Sequence, residues 1–133
     1  MASLYVRKQV ETWMQDPAMS VAYVPTINVN AQPTTSIWCT VDFGVSYREV
    51  LTFCGDGAVE ERGDIEVIYF GPPGTGFESL LTAAEADLKT LLSQRDPSNK
   101  LLLVNRSEAE EFTGGDSGQD YGLSFFVEFL HYE

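Results

Sequence analysis

The sequence predicts one α+β domain: a mainly antiparallel sheet with two helices packed on one face. Three observations predict it. Phe77, Leu80, Leu81, Ala84, Leu88, Leu91 and Leu92 form one apolar stripe at helical spacing, with Glu78, Glu85, Asp87 and Lys89 on or near the other side. Strand-like alternation recurs over 37–43, 64–70 and 121–132. The 133 residues suit a single core, so the domain is expected to span residues 1–133.

The elements follow in order. Residues 3–15 read as a helix: Val6, Val10, Trp13 and Met14 share a face, Ser3 is the N-cap, and Asp16-Pro17 stops the run. Residues 21–24 make a short strand that Pro25 confines to an edge. In the next strand Ile37, Cys39, Val41 and Phe43 face one way, and Trp38, Thr40 and Asp42 the other. A turn is expected at 44–46, then a second strand over 48–53 and a bend at Cys54-Gly55-Asp56-Gly57. The strand over 64–70 alternates at first and ends apolar on both faces, as a central strand does. After the second helix, Asp96-Pro97 ends the run and residues 100–105 form a strand; 107–112 fits either a strand extension or a capped turn. Residues 113–120 are a loop, and in the last strand Tyr121, Leu123, Phe125, Val127 and Phe129 face one way.

The turn into the second helix has the look of a phosphate loop. Gly71-Pro72-Pro73-Gly74-Thr75-Gly76 satisfies the G-x-x-x-x-G half of that motif, but Phe77 and Glu78 stand where it needs Lys and Ser or Thr. Phe77 carries no charge for the outer phosphates, and Glu78 brings a carboxylate to the place a phosphate would take. Thr75 and Glu78 instead have the spacing of a capping box, each satisfying the amide the other leaves open.

Charge excludes several classes of function. The net charge is −12, and Gly55 to Glu133 carry sixteen acidic against five basic residues. Such a surface repels phosphate backbones and anionic membranes, so neither is expected as a partner. No apolar run is long enough to span a bilayer, and the first residues lack a signal-peptide core, which implies synthesis and folding in a cytoplasm. Cys39 and Cys54 lack C-x-x-C spacing and read as reduced apolar side chains, with a cross-hairpin disulfide the less favoured alternative.

Catalytic sets are scarce. His131 is the only histidine and reads as structural or exposed. Glu60-Glu61 and Glu110-Glu111 are sequence neighbours, which point apart on a strand, so they read as solvated charge. Asp116 and Asp120 read as an acidic loop without EF-hand spacing. No catalytic residue, metal site or cofactor is expected. The last strand is aromatic on both faces, which makes Phe126, with Trp38, a candidate for contact with another subunit.

The order of these elements resembles a known family. A helix ends at Trp13, then come Val21-Ala22-Tyr23, a loop through Gln32-Pro33, and Trp38-Cys39-Thr40-Val41-Asp42-Phe43 leading to a polar hairpin. A glycine-led strand, a P-x-G-x-G turn between Gly63 and Gly76, an amphipathic helix and an aromatic strand from Tyr121 follow. This pattern resembles the tail terminator proteins of long-tailed bacteriophages, the group similar to lambda's minor tail protein U. The resemblance implies a non-enzymatic virion protein made in the bacterial host cytoplasm. It implies a hexameric ring that caps the tail tube, ends its polymerisation and presents the head-joining surface. The implied partners are other copies of the chain, the major tail tube protein and a head-completion protein. The subunit can be a monomer in solution. The hairpin over 47–62 would contribute ring contacts, with Arg48, Glu60, Glu61 and Arg62 as charge partners across subunits. The acidic bias would suit a lumen that passes DNA without holding it. Alternatives are another neck or head-tail connector protein and a degenerate nucleotide-binding domain.

Overall fold

A computed structural model of the chain describes residues 3–23, 37–50, 59–71, 76–114 and 120–132. Helix α1 covers Leu4–Met14, capped by Ser3, whose hydroxyl accepts from the Val6 amide. Val6, Val10, Trp13 and Met14 are its buried face, as their spacing predicts. Strand β1 is only Ala22–Tyr23 and runs parallel to its neighbour at the edge of the sheet. Its side of the sheet is the one departure from antiparallel pairing among the described strands.

Strand β2 is one continuous strand, Trp38–Val50, where the sequence predicts two strands and a turn. Gly44 and Val45 lie where the register shifts: Phe43 faces Ile65 and Ser46 faces Gly63, so two residues oppose the single Asp64. That is a β-bulge, which inserts one residue without ending the ladder. The extra residue resets the alternation, so Phe43 and Ser46 both turn toward the helices. Strand β3, Val59–Gly71, pairs with β2 down to the rung Val50↔Val59 and begins earlier than predicted. The expected bend at 54–57, with Cys54, lies outside the described residues.

Helix α2 covers Phe77–Leu92 and buries Leu80, Ala84, Leu88 and Leu91. Its N-cap is Gly76, not the expected Thr75, which lies outside the described residues. Gly76 has φ 80° and ψ 155°, a backbone state nearly closed to other residues, and it makes no side-chain cap. Glu78 therefore sits at the second helical position, one short of capping-box geometry, where its exposed charge still suits the helix N-terminus.

Strands β4, Leu101–Arg106, and β5, Glu110–Gly114, lie end to end along the last strand, β6, Asp120–Tyr132. The stretch the sequence left open is thus a break and a new strand. Ser107 bridges the break, its amide donating to the Phe126 carbonyl (2.8 Å) and its hydroxyl accepting from the Phe126 amide (2.9 Å). The sheet order is β1-β2-β3-β6-β4, with β3 in the centre as its two-sided apolar end predicts. β3 and β4 both run antiparallel to β6, hence parallel to each other, and α2 supplies the crossover that parallel strands need. Cys39, Val41, Ile65, Val67, Tyr69, Leu123, Phe125, Val127 and Phe129 form the inner face, and both helices pack on it. The α+β fold with both helices on one face follows from these alternating positions.

Candidate functional site

Four carboxylates are buried among the described residues; Glu60 holds Arg62, and the other three tie down backbone. Glu61 is fully buried and accepts from the Ser3 amide (2.9 Å), the Ser46 hydroxyl (2.9 Å) and His131 Nδ1 (3.0 Å). Asp87 accepts from the Ser20 amide and hydroxyl and from the Val21 amide, at 2.8–3.0 Å. Asp96 accepts from the amides of Ser98, Lys100 and Leu101 and from the Tyr5 hydroxyl. These bonds fasten the α1 N-terminus, the entry to β1 and the α2–β4 connection to the core.

Two expectations are corrected here. Glu61 is neither solvated nor a charge partner for another subunit, because alternation along β3 puts it on the inner face with Ile65 and Val67. Asp87 is buried, not on the polar side of α2: it falls three residues after Ala84 and four before Leu91, inside the apolar stripe. Burial drives the Glu61 carboxyl up, yet the bonds from Ser3, His131 and Ser46 together outweigh it and hold it below its ordinary value. Asp96 is lowered in the same way, burial being outweighed by Tyr5 and three amides. The Tyr5 hydroxyl is raised by its bond to Asp96, then by burial.

His131 is a structural histidine. It is buried, faces Glu61 across the β3–β6 ladder, and stacks on Tyr5 with ring centroids 4.8 Å apart and planes at 7°. Ser46, Glu61 and His131 do not form a nucleophilic triad. The serine donates to the carboxylate, whereas general-base activation needs the serine on the imidazole. Cys39 is buried, and burial pushes its thiol up to about 12, which leaves it unreactive at neutral pH. The Thr40 and Tyr69 hydroxyls are buried and have no hydrogen-bond partner among the described residues. Among the described residues no group of three His, Cys, Asp or Glu side chains could hold a metal ion. Nor is any described helix long and apolar enough to cross a membrane.

The other predicted interface residues divide. Glu60, expected to be solvated, is buried at 7% exposure and holds the exposed Arg62 through the guanidinium Nε (2.8 Å) and Nη2. Arg48 is exposed in β2, opposite Glu61. Trp38 is 6% exposed and stacks on Phe70 at 4.4 Å, so its ring is engaged within the subunit. Phe126 is 42% exposed on the outer face of the sheet, the face away from both helices.

That outer face has its own chemistry. Tyr47, Leu102, Phe126 and Tyr132 are all at least 40% exposed there. Between them lie Asp42, Asp64, Glu66 and Glu128, with Asp42 directly opposite Glu66 and Asp64 directly opposite Glu128. Like charges in facing positions repel. Sequence reasoning missed this strip, although alternation places all four carboxylates on the face opposite the core; only the register shows them paired. The sequence matches no protein-family model and no curated protein.

Proposed function

We propose that the chain is a tail terminator of a bacteriophage or prophage, a structural protein that forms a ring on the tail tube, ends its polymerisation and offers the surface to which the head joins. The reading starts from the order and patterning of elements along the sequence. The observation that carries it furthest is the outer sheet face, where Tyr47, Leu102, Phe126 and Tyr132 are exposed together. Exposed aromatic groups on a polar-rimmed face suit contact between proteins. The long β2–β3 hairpin, paired to Val50↔Val59, is the natural arm for reaching a neighbouring subunit. Arg62 and Arg48 stand exposed on it as contact residues. Another neck protein remains the alternative reading. A nucleotide-binding domain is the weaker one, since Phe77 and Glu78 replace the residues that would hold phosphate and metal.

Tail assembly tests the reading. Tails assembled without this chain are expected to be tubes of uncontrolled length in electron micrographs. Normal tail length without it would refute the proposal, and normal-length tails that fail to join heads would point to another neck protein. Arg62→Gln is expected to loosen length control; because Arg62 also pairs with the buried Glu60, its melting temperature is followed alongside, and lost length control with an unchanged melting temperature marks a lost contact between subunits. By mass measurement across protein concentration, a ring of six supports the reading, and a stable closed dimer argues against it.

A further inference from the structure

We propose that the outer face of the sheet docks a basic segment of a different protein, whose Arg or Lys side chains fill the strip between Tyr47 and Phe126. The assignment does not depend on ring formation. Asp42 faces Glu66 and Asp64 faces Glu128 across three adjacent strands, and none of the four makes an ion pair among the described residues. Arg62 on the same face is held by Glu60, and Arg106 at the rim of the strip by Glu85, so the four facing carboxylates outnumber the cations near them among the described residues and gain from cations brought by a partner. Phe126 rises in the middle of the strip with a hollow on each flank, about 290 Å³ on the side of Asp42 and Tyr47 and about 210 Å³ on the side of Glu128. An aromatic face beside carboxylates is the surrounding a guanidinium favours, stacking on the ring while its N–H groups reach the oxygens.

Other occupants fit less well. A second copy laid on by the same face would set these carboxylates against their own kind. Nucleic acid and anionic lipid meet the same repulsion. A bare metal ion lacks convergent ligands among the described residues. A basic polypeptide satisfies both the charge and the aromatic groups.

The probe is a fluorescein-labelled peptide of four Arg-Ser repeats, followed by anisotropy in about 0.05 M and about 0.3 M salt, with a Gly-Ser peptide of equal length as the blank. The Arg peptide is expected to bind the intact chain and to weaken steeply with salt. The double variant Asp64→Asn, Glu128→Gln removes one facing pair and is expected to weaken binding about tenfold. Phe126→Ala should weaken it about threefold, the size of an exposed cation–π contact. A control double variant on the helices, Glu11→Gln with Glu78→Gln, changes the net charge equally and should leave affinity within about twofold. Removing the facing pair also relieves repulsion, so the outer-face variant should melt no lower than the parent, which separates lost binding from lost folding. Failure of the Arg peptide to bind overturns the proposal. So does equal weakening by the helix variant, which would mean diffuse charge attraction, or unchanged affinity in the outer-face variant. Tail-length control can fail or hold independently of each of these results.

Discussion

Replacing Glu61 separates its charge from its hydrogen bonds. Its Oε2 accepts from the Ser3 amide and the Ser46 hydroxyl, while Oε1 faces His131 Nδ1. In Glu61→Gln the amide oxygen takes the Oε2 position and keeps both donors. The amide NH2 then meets His131, which accepts once its own proton moves to the other ring nitrogen. Only the charge assistance is lost, about 1–1.5 kcal/mol. Glu61→Leu has similar bulk but leaves the Ser3 amide and the His131 ring without their acceptor in a dry site. Breaking a buried pair this way costs about 3–5 kcal/mol. Unfolding entropy is about 2.1 cal/mol/K per residue, hence about 0.28 kcal/mol/K over 133 residues. Thermal unfolding at pH 7, followed by circular dichroism, should therefore show a loss of about 4–5 °C for the Gln variant and about 10–18 °C for the Leu variant. Equal losses in the two variants, or a Leu variant within about 2 °C of the parent, would refute the account of Glu61 as a three-donor anchor.

The same carboxylate sets an acid dependence. Glu61 and Asp96 are held below their ordinary values of 4.5 and 3.8, so the unfolded chain binds protons more readily, and their stabilisation is full above those values and lost as pH falls through the lower folded ones. The melting temperature should drop as pH falls below 4.5, and the Glu61→Gln curve should converge on the parent curve there; parallel curves would contradict the assignment. Asp87→Asn puts an NH2 against one of the donors at Ser20 and Val21, and should cost about 2–3 kcal/mol, with faster amide exchange at those two positions in hydrogen-exchange measurements. Tyr5→Phe removes the donor to Asp96 but leaves three amides on it, so denaturant titration should show a loss of about 1.5–2 kcal/mol. Gly76→Ala meets no atom of the described residues within 4 Å, so the expected loss is backbone strain at φ 80°, about 1–3 kcal/mol by the same titration.

The sequence alone determined both helices, the central and last strands and which side of each is apolar, while it split β2 in two and left 107–112 open. Period 2 put Leu123, Phe125, Val127 and Phe129 on one face of β6, and period 3.6 put Leu80, Ala84, Leu88 and Leu91 on one face of α2, because burial selects side chains by the geometry of each backbone. The same parity already placed Glu61 and His131 on inner faces, and the same stripe already contained Asp87. Their polarity masked the signal, since a carboxylate is a surface group until a donor set compensates its burial. Those donors come from far along the chain: Ser3 lies 58 residues from Glu61, His131 70 residues from it, and Ser20 67 residues from Asp87. Such partners are fixed only by register and docking, which no local pattern encodes. The bulge at Gly44 and Val45 belongs to the same class, for it appears only when β2 is read against Asp64. So does the facing of Asp42 with Glu66 and of Asp64 with Glu128. Composition gives the charge, but tertiary structure alone sets like charges opposite one another, because strand pairing is a relation between segments and not a property of either.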